Sequence, residues 1–372
     1  MRHLASASVC IVTILITACS SRPVTYQVEV IDGVEHVHNL ASIWGDVPSL
    51  TLEHELTIGA GETSDKRYML RTPSDAVLDQ EGNIYILDRW RPGIRVYDET
   101  GVHLVDIGKR GSGPGEFIEA LAMDRSENGE LCIVDPPGGK ITIMNDDGSF
   151  NRIFRPEGYF FSFRFLSDGR IVSSNVGYEQ DPPQTWQIMD REGKRLGRFG
   201  VGEAHEERNV RIMFNNSQVE VGPGDDIYLC YWYRNLIEVY SVDGELKRRI
   251  DRPLPYPLDV GVEYQEFEEE NGTVLIPRAV LNRISLGIGV DDEGRIWSLT
   301  YIEQPDRESD DRGAPYDTEI LRFEVFESSG ALLGYLPVPE TCMAFRVSGD
   351  RILMADSIES GCVYVYQILE ND

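Results

Sequence analysis

The chain has 372 residues, with 63 Asp or Glu against 35 Lys or Arg and a net charge of −28 at pH 7. That balance argues against nucleic acid, whose phosphates call for a basic patch, and against docking of the protein body on anionic lipid head groups. The length suffices for one closed repeat array with a sizeable core and no second domain.

Residues 1–18 read as a lipoprotein signal peptide. Arg2 and His3 give a polar start, and Val9 to Ile16 is an apolar run too short to span a bilayer. Ile16-Thr17-Ala18-Cys19 resembles a bacterial lipobox, which makes Cys19 the lipidated first residue of the mature chain. Cys10 leaves with the signal. Lipidation places the body in the cell envelope, outside the cytoplasm, with its only membrane attachment through the N-terminal acyl chains. Ser20 is not an Asp-type inner-membrane retention signal, which points to the outer membrane.

Residues 19–48 form the tether. Tyr26 to Val30 and Val34 to His38 flank Asp32-Gly33, a hairpin signature. His36 and His38 share one strand face but have no third metal ligand nearby in sequence, so they read as surface residues.

Residues 49–372 read as an all-β, six-bladed β-propeller. Residues 73–118 spell out one blade: Val77-Leu78, Ile84 to Leu87, Ile94 to Tyr97 and Val102 to Ile107, separated by turns. The first turn recurs near Gly82, Gly129, Gly169, Gly224, Gly294 and Gly349, and an apolar run follows each one. The turn between strands three and four recurs at Gly101, Gly148, Gly193, Gly244 and Gly330, with Asp, Asn or Ser before the glycine. The last copy stops after three strands, while an orphan strand, Ser49 to Ile58, precedes the first copy. That strand is expected to complete the last blade against Cys362 to Leu369, which closes the ring and removes its open edges. Blade five departs most from the pattern, with insertions at 251–279 and 303–317.

Gly108 to Phe117 (GKRGSGPGEF), with Ile84 to Asp88 and Ile94 to Tyr97, resembles the NHL repeat. Together with the lipobox, the chain is similar to bacterial six-bladed β-propeller lipoproteins. The glycine-rich segment has no GK[ST] and no helix after it, so the phosphate-loop readings fail.

Among the cysteines, Cys132 and Cys230 fall in second strands and are expected to be buried thiols. Cys342 and Cys362 begin the first and third strands of the last blade, and an oxidising compartment leaves a disulfide between them open. Asp88, Asp135 and Asp356 end second strands at matching places and are expected to accept hydrogen bonds from neighbouring loops.

Propellers of this type commonly present ligands on the face formed by the loops between strands two and three and the crossings between blades. Those loops carry Arg89, Trp90 and Arg91; Arg110 and Phe117; Tyr159 and Phe160; and Tyr231, Trp232, Tyr233 and Arg234. Aromatics interleaved with arginine suit contact with a protein, peptide or glycan of the envelope. No catalytic set stands out. Asn209, Asn215 and Asn282 are candidates near the channel, His54 and His103 fall in outer strands, His205 in a loop, and there is no G-x-S-x-G. No cofactor is indicated. Ca²⁺ remains open through the acidic clusters Glu266 to Glu270 and Asp306 to Asp311, which lack the ligand spacing of a known calcium loop. The leading expectation is a binding module. The alternatives are a metal-dependent hydrolase or lyase, lactonase-like, acting at the central channel, and a structural envelope component.

Overall fold

The computed structural model describes residues 23–59, 64–155, 160, 162–174, 183–269, 272–305 and 317–371. Cys19, Tyr159 and the cluster Asp306 to Asp311 lie outside them.

Six antiparallel four-strand units form the ring. Blade one is Pro73–Leu78, Ile84–Asp88, Ile94–Tyr97 and His103–Ile107. Blade two is Ala122–Arg125, Leu131–Asp135, Lys140–Met144 and Phe150–Phe154. Blade three is Phe163–Phe165, Ile171–Ser174, Gln184–Met189 and Arg195–Val201. Blade four is Ser217–Val221, Ile227–Tyr231, Ile237–Tyr240 and Leu246–Asp251. Blade five is Ser285–Val290, Ile296–Tyr301, Leu321–Phe326 and Leu332–Pro337. Blade six is Ala344–Ser348, Arg351–Asp356, Cys362–Glu370 and, from the N-terminal side, Leu50–Ile58. The orphan strand thus closes the ring as expected, running from Leu50 opposite Glu370 to Ile58 opposite Val363. The first strand of every blade touches the first strands of both neighbours, so these six line the central channel.

Apolar second strands explain the core. Ile84–Asp88, Leu131–Asp135 and Ile227–Tyr231 are buried at every position, as strands covered on both faces must be. The recurring glycines before strand four also shape the joints between blades. Gly193, at φ 81°, lies where an added Cβ would come 2.2 Å from the Phe154 ring of blade two. Gly148 meets Ile107 of blade one, and Gly244 meets Phe199 of blade three, in the same way. The pairing of strands three and four also slips by one residue in each of the first five blades, a repeated bulge that bends the outer strand.

The tether hairpin forms as read, Tyr26–Ile31 with Val34–Asn39, turning at Asp32 and Gly33. Its second strand adds in parallel to the outer edge of blade four, from Glu35 opposite Arg248 to His38 opposite Asp251. The chain then crosses blade five, where Trp44 packs against Gly334. The insertion after blade four is a separate hairpin, Val260–Glu269 with Gly272–Leu281, against a short helix, Arg208–Phe214. Seven residues give too little periodicity for that helix to be read from sequence.

The cysteine outcome is mixed. Cys132 and Cys230 are buried thiols, as expected. Cys342 and Cys362 are also free and buried, so the open disulfide is not formed, and burial pushes the Cys342 thiol up to about 12.

Candidate functional site

The centre of the channel is charged. The innermost strands contribute Asp75, Asp124, Arg164, Glu220 and Arg346, one from each of blades one, two, three, four and six. Arg346 makes a two-pronged pair with Asp75, with Nε and Nη2 each 3.0 Å from a carboxylate oxygen. Its Nη2 also donates to the Met123 carbonyl at 2.7 Å, and its Nη1 lies 3.4 Å from Glu220 and 3.8 Å from Asp124. Arg164 grips the two Glu220 oxygens at 2.9 and 3.0 Å. Asp75 Oδ2 accepts from the Met123 amide as well, and the second oxygen of Asp124 accepts from the Phe165 amide. Burial alone would lower the Arg346 guanidinium, but the facing carboxylates outweigh it and keep it charged. Burial raises Asp124 despite the opposing pull of Arg346 and Arg164.

This layer separates two cavities. One of about 110 Å³ opens among the beginnings of the first strands, with Ser74, Ser162 and Gln218 beside Arg346. The other, of about 480 Å³, opens among the first turns, with Glu127, Asp225 and Asp292 beside Asp124 and Arg164. Three carboxylates do converge in the channel, but on two guanidiniums. Among the described residues no group of three or more His, Cys, Asp or Glu side chains is arranged to hold a metal ion.

The asparagines proposed for the channel serve elsewhere. Asn215 is buried and stitches its own loop, donating to the Glu203 and Arg211 carbonyls and accepting from the Glu203 amide. Asn282 is buried and accepts from the Asp259 amide. Asn209 falls on the short helix. His54 and His103 do sit in outer strands.

On the loop face the structure divides the proposed residues. Blade one holds the exposed set. Trp90 is 44% exposed, and the Arg71 guanidinium stacks on its ring at 4.3 Å. Arg110 is exposed and its Nη2 donates to the Trp90 carbonyl at 3.3 Å. Arg89 pairs with Glu119, and Arg91 stands 3.9 Å from Asp106. Ile118 is exposed on the crossing that follows. Beneath them Asp88 fixes the loops by accepting from the Arg71, Thr72 and Trp90 amides and from Arg95. Asp135 and Asp356 do the same in blades two and six, as the sequence suggests.

Three proposed contacts are core residues instead. Phe117 is fully buried between blades one and two and packs against Gly108, so the glycine-rich crossing tucks this ring inward. Phe160 is buried between blades two and three. Tyr231 is fully buried, its hydroxyl donating to Glu238 at 2.8 Å, and burial beside that carboxylate pushes it well above the usual phenol range. Trp232, Tyr233 and Arg234 are half-buried. The Trp232 carbonyl accepts from the Ile284 amide, and Arg234 lies 4.4 Å over the Tyr231 ring with Glu203 at 3.1 Å.

Sequence reasoning passed over Arg71 and the whole channel layer. The available signal was a charged residue within each of the short first strands PSDAVL, AMDR, FRF, SQVEV and AFRVS.

The model of the family DUF5128, described as a 6-bladed beta-propeller, matches residues 62–254. That is more than half of the chain, and the chain belongs to this family. Two solved structures share the fold. One is a protein of Bacteroides fragilis described as exported, with TM-score 0.53 and 11% identity over 88% of this chain and 98% of that one. The other is a DUF4221 family member from Bacteroides vulgatus, with TM-score 0.56 and 10% identity over 87% of this chain and 99% of that one. No curated protein matches the chain.

Proposed function

We propose that this member of the DUF5128 family is a non-catalytic binding protein of the bacterial cell envelope, anchored through lipid on Cys19 and contacting a protein, peptide or glycan through its loop face. The observation that carries the reading is the blade-one set: an exposed indole, Trp90, with the Arg71 guanidinium stacked on it and Arg110 bonded to its backbone. Such a pairing presents a wide contact area at low entropy cost. The lipobox and the description of one structural neighbour as exported support an extracytoplasmic place, and Ser20 supports the outer membrane.

The test is recovery of the envelope partner with full-length protein and with Trp90→Ala combined with Arg91→Ala. The double variant loses the partner while its melting temperature stays within a degree or two of the parent, as surface changes usually do. Undiminished recovery would remove this face from consideration.

A second reading, a metal-dependent hydrolase or lyase at the channel, draws on the convergence of Asp75, Asp124 and Glu220. Metal analysis of the purified protein, with melting before and after chelation, separates the two. A stoichiometric metal whose removal lowers the melting temperature would favour the channel.

A further inference from the structure

We propose that the blade-one patch takes a short acidic peptide segment, with Arg71 and Arg110 receiving its carboxylates and Trp90 with Ile118 receiving an adjoining apolar side chain. The inference rests on the loop-face reading above and adds the chemistry of the ligand.

Charge complementarity carries it. The chain has 63 acidic and 35 basic side chains, so a surface arginine has carboxylates in excess around it. Neighbouring basic groups follow that expectation: Arg67 pairs with Asp65, Arg89 with Glu119 and Lys109 with Glu116. Arg71 and Arg110 depart from it. Among the described residues neither has a carboxylate within ion-pair distance; Arg71 rests on the Trp90 ring and Arg110 on the Trp90 carbonyl. Arg91 has only a long contact to Asp106. One guanidinium without a carboxylate thus stacks on the exposed indole and a second bonds to the same residue's carbonyl, while the adjoining Arg91 is only weakly neutralised. A guanidinium fork matches a carboxylate in two-pronged fashion, and stacking on the ring pre-orients the fork at Arg71.

The rest of the molecule limits the ligand's size and kind. A net charge of −28 repels a long polyanion, while a few carboxylates brought within a Debye length of the patch feel mainly the local arginines. Ile118 is exposed and precedes Glu119, which pairs with Arg89 next to Trp90, so the rim offers apolar as well as cationic surface. That favours a peptide over an acidic glycan, because a peptide brings aliphatic or aromatic side chains with its carboxylates.

The probe is a library of short synthetic peptides in which each position is acidic, amide, basic or apolar, screened on full-length protein in detergent, with oligogalacturonate as a glycan arm. Acidic residues next to an apolar one should be selected, and binding should weaken with added salt. Replacing Arg71 and Arg110 together by Ala should cost roughly tenfold or more in affinity with an unchanged melting temperature. A library selection with no acidic preference overturns the proposal. So does a preference for oligogalacturonate over every peptide. Selection without acidic preference that still fails in Trp90→Ala leaves the loop-face reading standing. Binding indifferent to Trp90 removes both.

Discussion

Arg346 and Arg71 carry the same group into opposite circumstances. Arg346 is buried in the channel and meets carboxylates from blades one, two and four. Arg71 is exposed on the rim of blade one and meets an indole. A buried guanidinium persists only when paired and hydrogen-bonded, so the channel layer is accounted for by the fold: it ties five blades across the axis. The fold makes no comparable demand on Arg71. An exposed arginine that rests on an indole rather than a carboxylate is the observation from which the proposed recognition by this rim starts.

The largest expected effect breaks the channel half of the comparison. Arg346→Met leaves Asp75 without its two-pronged partner and Glu220 and Asp124 with one guanidinium fewer, at a cost of about 3–5 kcal/mol. Chemical denaturation measures it. A loss under about 1 kcal/mol would mean that the layer does not tie the blades. A smaller effect sharpens the loop-face half. Trp232 and Arg234 resemble Trp90 and Arg91 in sequence but are half-buried, with Arg234 packed on Tyr231. Trp232→Ala with Arg234→Ala should therefore cost about 1–3 kcal/mol, whereas the Trp90 and Arg91 pair should stay within about 0.5 kcal/mol. Equal losses for the two pairs would erase the distinction between the blade-four and blade-one loops.

What the sequence made legible follows from how local each feature is. Turn glycines and the apolar second strands are short-range signals, so blade count and the closing role of Ser49 to Ile58 could be read directly. Aromatics in loops are not settled that way. Phe117, Phe160 and Tyr231 lie next to loop residues in sequence, yet each is covered by a neighbouring strand or blade, a contact between distant segments. The channel charges were present but isolated: one Asp in PSDAVL or one Arg in AFRVS looks like a surface residue until the ring brings the two together. Arg71 was passed over because it precedes its strand, and nothing in LRTPSD announces the indole that it covers.

His38 stands between the two extremes, partly exposed and paired on both sides. Its Nδ1 lies 2.5 Å from Asp251 of blade four and its Nε2 3.2 Å from Glu29 of the tether. Burial alone would lower its pKa, but the hydrogen bond and charge of Asp251, with those of Glu29, outweigh burial and raise it above 6.5. A raised folded-state value means that protonated His38 stabilises tether docking. That contribution is full below the unfolded-state value and disappears as pH climbs through the folded one. His36 runs the other way, lowered by burial and by Arg249, so its share weakens as pH falls. Replacing His38 by Asn isolates the first from the second. The stability difference between parent and His38→Asn should be present near pH 6 and shrink toward pH 8, and it should be small because the side chains are more than a third exposed. A difference that does not change with pH would mean that the tether is held by the backbone ladder from Glu35 to His38 and by the buried Asn39, with no contribution from the charge on His38.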